Sequence, residues 1–344
     1  MKIAVINAGS SSLKFKLFDM KTQEILKSVN IEHIGEEGAV FNNHHEALEN
    51  IDIDFSSLDA IGHRVVHGGE EFSESVLIDG EVLDIIDKLS TLAPLHNPAN
   101  LEGIKVAQKK APNTPHIAVF DTAFHATMPK EAYLYALDYK MYEKHNIRRY
   151  GFHGTSHAYI SKETAKILDK DINELNLITL HLGNGASACA IENGKSIDTS
   201  MGFTPLEGLI MGSRSGDIDP AIVLYMQREL GLSVDEVDRT LNKESGLLGI
   251  CGENDVRNIL NSNDEKAKLA LDMMIRRIQK YIGAYMALLG QVDAIVFSGG
   301  IGENSTYIRE KVLALQMFSG IKSLVIKTNE ELEIANECLR VLKK

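Results

Sequence analysis

The most chemically pointed residues of the chain are two arginines set among glycines and small polar residues. Arg64 lies in "GHRVVHGGE", residues 62–70, and Arg214 in "MGSRSGDIDP", residues 211–220. A guanidinium presents a planar fork that fits carboxylate or phosphate, and adjacent glycines let such a ligand come close. Both are candidate anion clamps. Asp121 in "VFDTAFH" ends an apolar run, where an acid would point into a cleft. Glu330 in "VIKTNEEL" has a similar setting, and could equally be an acid in the first turn of a helix. Carboxylate oxygens of this kind suit Mg²⁺. All twelve histidines precede residue 182, and the pairs His63/His67 and His153/His157 have the spacing of helical zinc ligands. Glycine or valine between the partners, with no cysteine cluster or HExxH motif, argues against zinc. "HGTSH" reads instead as a loop entering a helix at Thr155 or Ser156, which puts His153 beside a positive helix end. His181 and His96 could equally be hydrogen-bonded core histidines.

These residues need elements to hold them. In "INAGSSSLKFKLFD", residues 6–19, and the residues just before it, Ile3 and Val5, then Leu13, Phe15 and Leu17, alternate with the period of strands packed on one side. The insert Asn7 to Ser12 reads as a hairpin turn with more donors than closing a hairpin requires. Such a turn suits an oxyanion such as phosphate, and could also be a plain solvated turn. "LITLHLGNGASACAIENGK", residues 177–195, repeats the strand, turn, strand layout, so two domains built on one plan are expected. Its Gly183, Gly185 and Ala188 match the dinucleotide pattern GxGxxA, but a strand follows where that fingerprint needs a helix. A Rossmann site is rejected. A third cluster, Gly299, Gly300 and Gly302, follows the apolar strand Ala294 to Phe297 in a turn before a helix capped by Asn304 or Ser305; it would let backbone approach a flat ligand whose phosphates the helix N-terminus favours, and could also be a tight turn with no ligand. A long amphipathic helix precedes it, with Met274, Ile278, Ile282, Tyr285 and Leu289 on its core face. Asp219 before Pro220 reads as a helix N-cap.

A length of 344 residues favours two domains, and one linker is expected around residues 140–152. No apolar run approaches the roughly 20 residues of a membrane span, and the first residues lack a signal-peptide layout, so a cytoplasmic protein is expected. Cys189, Cys251 and Cys338 are isolated and odd in number, which opposes a disulfide framework. The net charge of -12 repels nucleic acid and anionic membranes, and neither is an expected partner. Any anionic substrate must be captured by a few local cations. No Walker A motif and no protein-kinase glycine loop occurs.

Taken together, "INAGSSSLKFKLFD", "GHRVVHGGE", "APLHNP", "VFDTAFH", "YGFHGTSH", "HLGNGASA", "MGFTPLEGLIMGSRSGDIDP", "FSGGIGENS" and "TNEEL" resemble the acetate kinase family over nearly the whole chain. The resemblance implies an α/β, two-domain actin-like ATPase (RNase H-like) fold, with duplicated mixed sheets flanked by helices. The first domain would be 1–150 joined by 330–344, the second 151–329, with a cleft between them. It implies reversible transfer of the ATP γ-phosphoryl to acetate, giving acetyl phosphate and ADP, with Mg²⁺ or Mn²⁺, in a homodimer. Carried over by motif, Asn7 and Glu330 resemble the metal-associated positions, and Ser10, Ser12 and Lys14 part of the phosphate site. Arg64 resembles the substrate-carboxylate arginine, Asp121 the catalytic acid, and His153 and Arg214 the stabilisers of the transferring phosphoryl. His181, Leu182, Gly183, Asn184 and Gly185 resemble nucleotide contacts. So do Asp255, Val256 and Arg257, and Gly299, Gly300, Ile301, Gly302 and Glu303. Val66, Leu95, Phe152 and Pro205 match the small apolar pocket for the acyl methyl. The segments near 19–61 and 305–327 are shorter than is usual in the family, and "CGENDVRNI" departs from its more usual serine-rich form. A propionate kinase, or an actin-like nucleotide switch without acyl-phosphate chemistry, would share much of this pattern.

Overall fold

The computed structural model describes residues 1–9, 11–35, 38–94 and 96–344, which divide into two compact units. Unit 1 comprises Met1–Ala126, Gly154–Tyr159 and Asn329–Lys344, and unit 2 comprises Thr127–His153 and Ile160–Thr328.

Unit 1 is built on six strands, β1 (Lys2–Ala8), β2 (Leu13–Asp19), β3 (Glu24–Ile31), β4 (Ala60–Val65), β5 (Val76–Leu77) and β6 (His116–Phe120). Their spatial order is β3-β2-β1-β4-β6-β5, with β1 and β2 the expected antiparallel hairpin. β1, β4 and β6 run parallel, and parallel neighbours require crossovers that cover the faces of the sheet. Consequently β1 is buried on two sides, not one: Ala4, Ile6 and Ala8 face one apolar cluster, Ile3 and Val5 another. The helix Asn97–Lys110 supplies Val106 and Ala107 to the first cluster, and the helix Glu330–Leu342 supplies Leu332, Ile334, Ala335 and Cys338 to the second. That second helix lies so close that a Cβ on Gly62 would stand 2.6 Å from the Cys338 sulfur.

Unit 2 is built on β7 (Asn176–Leu182), β8 (Ala186–Glu192), β9 (Lys195–Thr199), β10 (Ala294–Ser298) and β11 (Lys322–Val325), in the order β11-β10-β7-β8-β9. An antiparallel meander continued by two parallel strands repeats the plan of the unit 1 sheet. The helix Glu265–Leu289 buries the five apolar residues expected of it. Gly299, Gly300 and Gly302 form no turn: a short helix, Gly299–Asn304, starts directly at the strand end, and Ser305 then caps the helix Thr306–Leu313. Residues 140–152 form no linker either. They carry the helix Tyr139–His145 and a stretch in which Arg148 stacks on the Tyr133 ring at 3.5 Å and Tyr150 is buried. Among the described residues no helix is long and apolar enough to cross a membrane.

The pair His63 and His67 has no joint role. His63 bonds instead across the sheet, Nε2 to Nδ1 of His116 at 2.9 Å, while His116 Nε2 lies 3.1 Å from the Ala111 carbonyl. The carbonyl can only accept, so His116 donates through Nε2 and receives the proton of His63 at Nδ1. Burial lowers the pKa of each ring, and for His63 the neighbouring His116 adds to the effect. The unfolded chain therefore takes up protons below about pH 6.5 that the folded pair refuses, and stability falls as pH falls below that value. Between pH 7.5 and 5.5 the loss should be about 2 to 3 kcal/mol for the pair, read from urea unfolding at the two pH values. Equal midpoints would contradict a neutral buried pair.

Candidate active site

Parallel pairing brings the carboxyl ends of β1, β4 and β6 to one edge of the unit 1 sheet, the usual binding edge of open α/β sheets. Ile6 pairs with His63, which puts Asn7 level with Arg64, and Asp121 follows Phe120, the partner of Val65. The three side chains meet. Arg64 Nε lies 3.0 and 3.1 Å from the two Asp121 oxygens, Nη2 donates to Asp121 Oδ2 at 2.5 Å, and Nη1 donates to Asn7 Oδ1 at 3.2 Å. A guanidinium has five N–H groups, so one remains on each terminal nitrogen, a two-pronged end suited to a carboxylate. Burial opposes the charge on Arg64, but the Asp121 carboxylate outweighs it and raises the guanidinium above its ordinary value. Asp121 itself is 1% exposed and accepts from Thr155 Oγ1 at 3.4 Å. Its carbonyl takes the Gly154 N–H at 3.0 Å, and that carbonyl leaves no room for a side chain at Gly154.

Glu330 is a first-turn helix acid, behind the N-cap Asn329. Burial pushes its carboxyl up to about 7; Arg64 opposes the rise, and Asp121 and Glu331 add to it. Lys14 is exposed on β2 opposite Asn7, Ser12 is half-buried, and Lys16 pairs with Glu331 at 2.8 Å. Ser10 and Leu95 lie outside the described residues. Val66 is buried and donates its N–H to Asn100 Oδ1 at 3.1 Å. Asn97 receives the His67 N–H and donates to the His67 carbonyl, each at 3.1 Å. These two buried asparagines hold the strand end that carries Arg64, and the sequence reading passed over them. Their signal was present: two asparagines three apart lie on one helix face, in a stretch where lone asparagines favour caps.

In unit 2, His153 takes a left-handed backbone, φ 57°, at the N-cap of the helix Gly154–Leu168. Its Nδ1 is 2.9 Å from Ser187 Oγ, and its ring lies 4.4 Å from that of His181. A Cβ on Gly185 would stand 3.5 Å from the His153 ring and 3.7 Å from Arg214 Nη1. The second hairpin turn, His153 and Arg214 thus converge, and glycine leaves the space between them open. Arg214 donates to the Pro205 carbonyl at 3.3 Å and has no carboxylate partner among the described residues. Burial without a counter-charge lowers its pKa. Phe152, one residue before His153, is fully buried.

A cavity of about 540 Å³ opens beside this cluster, lined by Gly183, Asn184, Asp255, Val256, Arg257, Gly300 and Ile301 from the expected set. Asn254, Leu260, Asn304 and Ser305 also line it, neighbours of expected residues that the motifs alone did not mark. His181, Leu182, Gly185, Gly299, Gly302 and Glu303 are not in its wall. Glu303 turns to backbone, accepting from Gly299 N at 3.0 Å and Thr328 N at 3.2 Å, and Leu182 is core. Asp255 is held down at about 2 by hydrogen bonds from Arg257.

Residues 2–339 match the model of the acetokinase family. The acetate kinase of Sulfurimonas denitrificans is 56% identical, with all of each chain aligned over 388 positions, so that relative carries residues opposite gaps in these 344. The crystal structure of Porphyromonas gingivalis acetate kinase superposes with a TM-score of 0.92 at 40% identity, covering 99% of each chain. A propionate kinase from Francisella tularensis superposes with the same TM-score at 44% identity, covering 98% of each.

The burial of Asp121 sets an order of stabilities. Arg64→Ala leaves that carboxylate without its cation and should cost about 3 to 5 kcal/mol. Asp121→Ala should cost less, since Arg64 is 21% exposed and keeps Asn7 and the field of Glu330. Urea unfolding of the two variants tests the order, and the reverse ranking would show that Asp121 is not the strained partner.

Proposed function

The chain belongs to the acetokinase family, and from that premise we propose that it transfers the γ-phosphoryl of ATP to acetate, reversibly, by direct in-line displacement. The observation that carries the reading is the contrast between its two arginines. Arg64 is anchored by Asp121 and keeps two N–H groups for a carboxylate, whereas Arg214 has no carboxylate partner among the described residues and stands beside His153.

A carboxylic acid has a pKa of about 4 to 5, so acetate is already a nucleophile at neutral pH and no general base is needed. Asp121 is accordingly an organiser of Arg64, not a base. Arg64 holds the acetate oxygens, and Val66 of the same unit is assigned to its methyl group. The cavity walled by Gly183, Asp255 and Gly300 takes the nucleoside, and the turn with Ser12 and Lys14 serves its phosphates. Arg214 and His153 neutralise the equatorial oxygens of a loose transition state, where charge spreads as the phosphoryl leaves. Asn7, Glu330 and Asp121 offer only oxygen donors, and the raised Glu330 carboxyl is one that a dication would relieve, so the set fits Mg²⁺. Asn7 and Glu330 would hold that ion, which supplies positive charge to the phosphates. Use of ATP and ADP as co-substrates supports a cytoplasmic setting.

A homodimer is part of the same proposal. The helix Pro220–Arg228 has no buried residue although Ile222, Leu224 and Tyr225 are 42, 48 and 58% exposed, and Leu230 and Val234 extend the apolar surface. A second copy of the chain is its assigned cover. Sedimentation should give a dimer at micromolar concentration and a monomer for Leu224→Asp with Tyr225→Asp. A monomeric parent chain would remove the dimer.

The function itself is tested by trapping the product with hydroxylamine, using acetate, propionate and butyrate with ATP. Acyl hydroxamate should form from acetate, disappear with a chelator and return with Mg²⁺. Faster turnover of propionate would move the chain to the chemistry in the name of its Francisella tularensis neighbour, as one methylene is worth only about 1 to 3 kcal/mol. ATP hydrolysis without any hydroxamate would leave a nucleotide switch.

A further inference from the structure

Loop 200–217 of unit 2 carries Pro205 and Arg214, and segment 146–153 carries Phe152 and His153. One half-buried side chain ties them. Arg149 Nη1 lies 2.9, 3.2 and 3.0 Å from the carbonyls of Thr199, Ser200 and Met201, where β9 ends and the loop begins. Its Nη2 donates to Glu207 Oε1 at 2.6 Å, farther along the same loop. Glu207 Oε2 takes the hydroxyl proton of Tyr135, which in turn accepts the Phe203 N–H at 2.9 Å. The backbone completes the tie, since the N–H groups of Tyr150 and Gly151 both reach the Gly202 carbonyl, at 3.0 and 3.3 Å. A side chain at 202 would displace the Glu207 carboxylate and the Tyr135 hydroxyl, which occupy the space it would need.

The far end of the loop has its own fastening. Asp217 accepts from Gly208 N at 2.7 Å and from the Tyr281 hydroxyl at 2.8 Å. Arg277 donates to the Gly208 carbonyl at 2.7 Å and to the Asp217 carbonyl at 3.1 Å. Arg214 therefore sits in a loop pinned on either side, while its own guanidinium is held only by the Pro205 carbonyl and a long contact to the Met211 sulfur.

We propose that Arg149, acting with Glu207, is a positioning residue for phosphoryl transfer: it clamps the loop bearing Arg214 to the segment bearing His153 and fixes the spacing of those two groups. The inference rests on the roles given to Arg214 and His153 under the proposed function. Burial opposes the charge on Arg149, and the Glu207 carboxylate outweighs it, so the clamp stays ionised. Displacing a transition-state group by about 1 Å can cost on the order of a hundredfold in rate, whereas ATP, held by the cavity residues outside the clamped loop, still binds.

The test is a double-mutant cycle on the full chain, measuring kcat and each KM. Arg149→Met should lower kcat about a hundredfold with KM for ATP within about threefold. Glu207→Gln should lower kcat about tenfold. Its carbonyl accepts from Arg149 or from Tyr135 but not from both, since the NH2 that replaces the second oxygen is a donor, so one of the two bonds is lost. In an Arg214→Ala background each of these changes should cost less than about threefold more, because the group being positioned is gone. Full multiplicative loss in the double variants, or a rise in KM with kcat unchanged, overturns the clamp. Should Arg149→Met fail to fold, Glu207→Gln decides through the same cycle. Wild-type kcat in Arg214→Ala alone would instead remove Arg214 from the mechanism, and the clamp with it.

Discussion

A carboxylate as deeply buried as Asp121 must have a cation against it, and most of unit 1 follows from supplying one. Arg64 and Asp121 come from different strands, so they meet only if β4 and β6 run parallel and end together. Parallel strands force crossovers, crossovers bring helices, and the helices bury both faces of β1 and β4. The close packing of Gly62 on the helix Glu330–Leu342 is one result, and it delivers Glu330 to the field of the same arginine. Sheet topology, helix docking and site chemistry are thus one constraint seen at three scales.

Unit 2 repeats the strand order with an opposite electrostatic solution. There the arginine has no acid beside it among the described residues, and burial weighs on its charge. Such a group is costly to the folded chain unless an anion arrives, and a protein of net charge -12 otherwise repels anions. Concentrating the uncompensated charge at Arg214, next to the open space at Gly185, directs the anion to that point. The loop that carries it is irregular, so its shape depends on side chains such as Arg149 and Asp217 in place of strand hydrogen bonds.

The period of two and the glycine-rich turns made the hairpins β1–β2 and β7–β8 legible, and the periodic helix Glu265–Leu289 was legible for the same reason: local pattern fixes local structure. What depended on distant partners was not legible. His63 seemed matched to His67 four residues on, but its bond is to His116, 53 residues away on a neighbouring strand. Arg149 lies in a stretch that read as linker and pairs with Glu207, 58 residues away, and no local spacing announces that pairing. The glycines at 299–302 read as a turn because glycine usually breaks helices; here Leu182 backbone presses on Gly299, whose φ of 76° only glycine takes up easily, and the helix starts at once. Motif resemblance located Asn7, Arg64 and Asp121, while their mutual geometry came only from register.

The division between the two arginines also accounts for how one chain can hold a nucleophile without disarming it. A carboxylate bound to a fully charged, isolated guanidinium would be held tightly and would lose basicity at the oxygen that must attack. Arg64 shares its charge with Asp121 before any substrate arrives, so the two N–H groups it has left orient a carboxylate more than they stabilise it. Arg214 has spent nothing on a carboxylate, and on the proposed reaction its full charge meets oxygens whose negative charge is redistributed only as the phosphoryl moves. On the proposed reaction, binding strength is therefore low where strong ground-state binding would slow the step, and reserved for the transition state, which is the condition under which binding energy raises kcat.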